Sequence, residues 1–142
     1  MSQENVEIVR RLFEAFQGVF QRDDPATAGT LFDSGLVAED AEWIPFRGWP
    51  GPQSYRGRDG FVEFWGTWTE DFEGWSVELE RLVDGDDEQV VALFHQTATG
   101  RGSGTPVKLH FGMVYELKGG RVIRMQNYMD PAEALEAAGL SE

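Results

Sequence analysis

Near the start of the chain, apolar residues recur at three- and four-residue spacing: Val6, Val9, Phe13, Phe16 and Phe20. That spacing predicts one face of a helix. Asp24-Pro25 reads as an N-cap followed by proline at the first helical position, opening a short second helix with Leu31 and Phe32 near its end. From Ala41 to Arg58, Trp43, Ile44 and Tyr55 are separated by prolines and glycines, which predicts two short extended pieces joined by an irregular loop. Asp59 then stands where a cap would open a third helix, whose face is Phe61, Phe64, Trp65, Trp68 and Phe72. After Gly74 the pattern changes to alternation. A strand starts at Val77 to Leu79, and Asp84-Gly85-Asp86-Asp87 forms a turn. Three more strands follow over 88–100, 107–117 and 121–129, with Gly119-Gly120 as a two-residue hairpin turn between the last two. Pro131 to Ala138 reads as a closing helix, ended by Gly139. Helices followed by a long meander predict an α+β fold over 1–142, a single domain with the helices on one face of a curved antiparallel sheet.

Strand side chains alternate between faces, so each strand divides into two sets. With the hairpin centred near Gly102-Ser103, Gln96 lies opposite Leu109 and His95 opposite His110. The inward set is then Phe94, Leu109, Phe111, Met113, Ile123, Met125 and Met129, interrupted by two amides, Gln96 and Asn127. Apolar walls with a few converging polar groups describe a ligand pocket. The same pattern also describes a packed core whose amides bond to backbone. Trp65 from the third helix, with Trp43 and Tyr55 from the irregular stretch, could line the pocket or grip a flat ligand. The outward set, His95, Thr97, His110, Val114, Gln126 and Tyr128, would face a second copy of the chain.

Charge narrows the partners. Of 142 residues, 25 are acidic and 12 are Lys or Arg, for a net charge of -13. Phosphate binding needs clustered basic residues, so nucleic acid and an anionic membrane are not expected partners. No run approaches the length of a membrane span, the N-terminus lacks a signal-peptide pattern, and there is no cysteine. The cytoplasm is therefore the expected compartment. No cofactor motif is present, and Arg101 to Gly104 lacks the strand-to-helix setting of a phosphate loop. His95 and His110 make half a metal site, with no acidic residue on their patch except Glu116, so no metal is expected. Asp40 and Glu42 are the acids nearest the expected pocket mouth and the candidates for a catalytic base.

Several segments together resemble the SnoaL-like branch of the nuclear-transport-factor-2-like superfamily: VEIVRRLFEAF, the short helix after DDP, YRGRDGFVEFW, and VYELKGGRVIRMQNYMDPAEALEAAGL. They cover most of the chain in the family's order. The resemblance implies a cone-shaped fold, with a bent sheet wrapped around the helices to leave a cavity, and a homodimer through the convex face. Relatives include polyketide cyclases, ketosteroid isomerases and limonene-type epoxide hydrolases. The isomerase pattern would place its base at Ile44, its tyrosine at Leu12 and its second acid at Met113, and none of those types is kept. The hydrolase pattern would place one Asp at Asn127 and its Arg and other Asp near Phe94 and Gln96. The cyclase pattern needs one carboxylate, which the last strands do not point inward; Asp130 precedes Pro131 and reads as a helix cap. The resemblance thus implies a small hydrophobic or aromatic ligand and, if there is catalysis, cofactor-free enolate chemistry with Asn127, Gln96 and Asp40 as candidate groups. The alternative is a non-catalytic ligand-binding or accessory domain.

Overall fold

The computed structural model describes residues 2–21, 25–85 and 88–140. The expected cap at Asp24, the side chain of Phe20 and the Asp86-Asp87 part of the turn lie outside the described residues.

Helix α1 spans Ser2–Gln21 and buries Val9, Leu12 and Phe16, with Val6 and Phe13 partly covered beside them. A 3-10 helix, Pro25–Ser34, contributes Ala28 and Leu31 to the core. Strand β1, Val37–Ile44, starts earlier than the sequence pattern predicts, and β2 is only Tyr55–Arg56. Helix α2 spans Gly57–Glu70. Its N-cap is Arg56, without a side-chain cap bond, so the expected Asp59 cap is corrected. Asp59 lies inside the first turn, where a negative charge suits the helix dipole.

Four strands follow: β3 (Phe72–Asp84), β4 (Gln89–Gly100), β5 (Pro106–Lys118) and β6 (Arg121–Tyr128). They form an antiparallel meander. Gln96 pairs with Leu109 and His95 with His110, the register predicted from the hairpin. Lys118 pairs with Arg121 across Gly119 and Gly120, whose φ angles of 61° and 81° are those of a turn that favours glycine.

The sheet order is β2-β1-β6-β5-β4-β3, and one pairing corrects the all-antiparallel expectation. β1 runs parallel to β6, with Trp43 beside Met125 and Ile44 beside Gln126. A parallel neighbour needs a long connection, and here that connection is α2 and the whole meander. The sheet is also bulged. The β5–β6 register shifts after Glu116, leaving Ile123 unpaired and setting Val122 beside Leu117. Val122 is therefore fully buried and takes the inward place that strict alternation assigns to Ile123. Two further shifts interrupt the β3–β4 pair. Bulges of this kind bend a sheet, and they give the strands the curvature needed to wrap the helices.

The main core lies between the concave sheet face and α1, the 3-10 helix and α2. Phe61 and Leu31 are its fully buried centre. A smaller cluster lies on the outer face, where helix α3 (Pro131–Ala137) sets Ala134, Leu135 and Ala138 against Val91, Leu93 and Val114. Asp130 caps α3 by accepting a hydrogen bond from the Ala132 N–H at 2.9 Å. Gly139, at φ 79°, ends it. Val114 is thus covered by α3, so it is not a residue that a second copy would meet. No helix among the described residues is long and apolar enough to cross a membrane.

Candidate functional site

The concave face leaves a narrow apolar cavity of about 60 Å³. Its inner end is closed by Phe13 and Phe16 of α1 and by Trp43 of β1. Phe64, Trp65 and Trp68 of α2 form one wall, and Phe94, Leu109, Phe111 and Met113 form the sheet wall. The aromatic rings pack against one another: Phe94 lies 5.3 Å from Phe111 and 5.6 Å from Phe13, centroid to centroid. An apolar cavity of roughly 150 Å³ accepts benzene. The inner end is therefore tighter than one ring, and a ligand there must displace side chains.

The cavity opens onto two larger spaces. A groove of about 230 Å³ shares Phe46, Trp68, Gln96, Leu109 and Met129 with it, and extends under Phe72, Trp75 and Val107. Met129, 43% exposed, is the one exposed large apolar side chain among the described residues, and it stands at this mouth. A cleft of about 450 Å³ adjoins Asn127, Tyr128 and Met129 on the other side and carries Arg47, Glu133 and Glu136.

Two amides break the apolar wall. Trp43 Nε1–H donates to Asn127 Oδ1 over 2.7 Å. An indole N–H can only donate, so the bond fixes which way the amide points. The Asn127 oxygen faces Trp43 and its NH₂ remains available to the cavity. This geometry follows from the fold: β1 and β6 run parallel with Trp43 beside Met125, and Asn127 lies two residues further on the same face. Gln96 is only 6% exposed, and its amide makes no hydrogen bond with another described residue. The amide is not among the fully buried unpaired polar atoms, so it reaches the open space of the cavity. Gln96→Leu is therefore expected to change the unfolding free energy by less than about 1 kcal/mol in urea titration. A larger loss of stability would mean that the amide has a partner in the folded protein.

Among the described residues, no Asp, Glu, His, Lys or Arg lines the narrow cavity. Tyr115, fully buried, directs its hydroxyl to Met113 Sδ at 3.7 Å, and burial pushes that hydroxyl's pKa well above its ordinary value of 10.0. Burial also raises Tyr128. The folded protein holds these protons more tightly than the unfolded chain does, so their stabilising contribution is complete below pH 10 and is lost as pH rises past it. Unfolding titrations between pH 9 and 11 are expected to show stability falling from about pH 10 upward.

The structure brings together Trp43, Trp65, Phe94, Gln96, Leu109, Phe111, Met113, Asn127 and Met129. It does not bring in three other candidates. Met125, 1% exposed, is packed inside the core below the cavity. Tyr55 is buried beside β1, where its hydroxyl accepts from Trp49 Nε1–H at 2.9 Å. Asp40 is exposed on β1, and its backbone carbonyl accepts from Arg56. Glu42 also points away, toward Ser54, Arg56 and Arg124. Phe13, Phe16 and Phe46 are cavity residues that sequence reasoning left out. The first two carry the helix-face signal of a core, and Phe46 sits in the irregular loop with no period to mark it.

A bent sheet closed over helices, with an apolar cavity and no charged lining, defines a cone-shaped α+β protein of the nuclear-transport-factor-2-like kind. The chain belongs to the SnoaL-like domain family, whose model matches residues 9–125. A search of curated proteins finds no match. Among solved structures, the chain is similar to a protein described as a SnoaL-like polyketide cyclase from Jannaschia sp. CCS1. The TM-score is 0.68 at 21% identity, covering 99% of this chain and 95% of that one. It is similar to TerC co-crystallised with polyporic acid, at TM-score 0.70 and 18% identity over 95% and 97% of the two chains. It is also similar to Bal32a from a soil-derived mobile gene cassette, at TM-score 0.64 and 26% identity over 89% and 88%.

Proposed function

We propose that this protein binds a small, uncharged, aromatic or otherwise hydrophobic molecule that carries a hydrogen-bond acceptor. The observation that carries this reading is the Asn127 amide, held by Trp43 with its NH₂ unpaired among the described residues, in a wall that is apolar apart from it and Gln96. The uncharged lining favours a neutral ligand, because a buried unpaired charge is costly. Gln96 supplies a second donor, and the adjoining apolar groove accommodates the rest of the molecule. TerC, of the same fold, was crystallised with polyporic acid, which agrees with a small-molecule role.

A second reading is cofactor-free cyclase- or isomerase-type enolate chemistry. The same preset amide would favour it, because a fixed donor can stabilise a developing enolate oxygen. No carboxylate lines the narrow cavity, so the proton would have to leave an already acidic carbon to water or to the substrate's own oxygen.

A thermal-shift screen pairing aromatic ketones with hydrocarbons of equal size tests the binding reading. Ketones are expected to stabilise the protein increasingly with concentration, by roughly 2.7 kcal/mol at a hundred times Kd. Gln96→Leu is expected to weaken the ketones by about tenfold and leave the hydrocarbons unchanged. Equal stabilisation by both sets would remove the amides from recognition. Turnover of an enol or enone substrate that is lost in Asn127→Leu would favour the second reading. A homodimer through the outer face left bare by α3 belongs to the same proposal, with His95, Thr97, His110 and Gln126 as its polar strip; Tyr128, packed with Val114 against the α3 cluster, is not part of it. Light scattering at micromolar concentration checks it.

A further inference from the structure

We propose that Glu80, His95 and His110 form a binding site for a divalent transition-metal ion on the outer face of the sheet. The register sets His95 directly opposite His110 on β4 and β5. Their rings stack in parallel, with centroids 4.1 Å apart and planes 10° from one another. The third member comes from β3. Its pairing with β4 skips from Leu79 to Arg81, so Glu80 is the unpaired residue of a bulge. Bulges re-aim side chains, and this one delivers a carboxylate to the two imidazoles. Glu80 Oε1 lies 2.7 Å from His110 Nε2, and Oε2 lies 3.6 Å from His95 Nε2.

One ligand atom from each of the three lies within 4.8 Å of the others. Tetrahedral zinc with bonds of about 2.1 Å separates its ligand atoms by roughly 3.4 Å. The lone pairs of stacked rings run side by side, so the stack must open for both to reach one ion, and all three side chains are exposed. Two imidazole nitrogens and one carboxylate oxygen suit Zn²⁺, Ni²⁺ or Cu²⁺, whereas Mg²⁺ and Ca²⁺ prefer oxygen alone. The remaining coordination position is open to water or, in the proposed dimer, to a group of the second copy. Glu80 is hydrogen-bonded to His110 over 2.7 Å, so its carboxylate stands beside a ligand nitrogen before any ion arrives. Glu78, opposite His95, adds negative charge, while Lys108, opposite Thr97, and Arg81 oppose it; the chain as a whole carries -13. Gln96, the neighbour of His95, lines the cavity on the opposite face, so the ion would be separate from any ligand there. The sequence pattern shows only the two histidines, half a site. The missing carboxylate depends on a bulge in the β3–β4 pair, which alternation does not reveal.

The test is calorimetric titration of chelator-treated protein with Zn²⁺, with Mg²⁺ as the control, alongside thermal shift. One Zn²⁺ per chain is expected to bind and to raise the melting temperature. Co²⁺ is expected to give the visible absorption of a four-coordinate N/O site. Glu80→Gln and His110→Ala are each expected to weaken Zn²⁺ by about tenfold or more, and His95→Ala/His110→Ala to abolish saturable binding. These side chains are exposed, so circular dichroism is expected to be unchanged. Absence of saturable Zn²⁺ binding, or binding that persists in the double variant, would overturn the proposal.

Discussion

Trp43→Ala is expected to lower the unfolding free energy by about 3–5 kcal/mol, the range for emptying a buried aromatic site. Trp43 is 3% exposed. Its ring lies 4.5 Å from Phe64, 5.1 Å from Phe61 and 5.9 Å from Phe16, so two helices lean on it. It also sits on the parallel seam between β1 and β6. The alanine variant removes those contacts and leaves Asn127 Oδ1 without its donor. Trp43→Phe separates the two effects. It keeps most of the ring and loses the hydrogen bond, at an expected cost of about 1–3 kcal/mol. In urea unfolding, both midpoints should fall with the slope unchanged. The hole in the alanine variant should also accept indole, visible as a thermal shift that the parent protein lacks. A cost below about 1 kcal/mol for the alanine variant would mean that the surrounding rings collapse into the space.

Gly112→Val is expected to lift α3 off the sheet. A Cβ at this position would lie 2.6 Å from the Ala134 Cβ and 3.2 Å from Leu93 Cδ2. The helix therefore rests almost directly on the β5 backbone, and no flexible side chain can make room. Overpacking of this kind costs roughly 1–3 kcal/mol. The damage should be local. Amide exchange should accelerate over 131–140, while the β4–β5 pair keeps its protection. Val91, Leu93 and Val114 would lose their cover, so the variant should also self-associate more readily. Gly112→Ala combined with Ala134→Gly should recover part of the loss, because the two sites share one contact. Normal exchange at α3 in Gly112→Val would show that the helix can ride further out without unpacking.

Those two positions mark how far the sequence could be read. The alternating strands declare themselves through periodicity, because burial on one face imposes a period of two. The β4–β5 register was legible because a single turn fixes it, and the Asp130 cap because Pro131 follows it. Three kinds of feature were not legible. Bulges at Ile123 and Glu80 break alternation by one residue, and nothing in the local composition announces them. The parallel β1–β6 pairing joins segments with no shared turn. The docking of α3 on the outer face depends on a glycine whose role is to be small at a distant contact. The candidate site shows the same limits. Its sheet wall was readable, whereas Met125 lay one layer too deep, and Tyr55 and Asp40 came from a stretch without a period.

The parallel seam has a consequence for how the chain assembles as it is made. β3 to β6 can zip up neighbour by neighbour, each strand meeting a partner close by in sequence. β1 cannot, because its long partner is β6, about eighty residues downstream. Until residues 121–128 leave the ribosome, Ala41 and Trp43 have only the two residues of β2 to pair beside. A chain halted before Arg121 would therefore hold β1 without its long neighbour and Trp43 without the Asn127 acceptor, a state suited to chaperone capture. Synthesis of the last strand both completes the sheet and delivers Asn127 to the cavity, so partial products should lack the amide that marks the binding site.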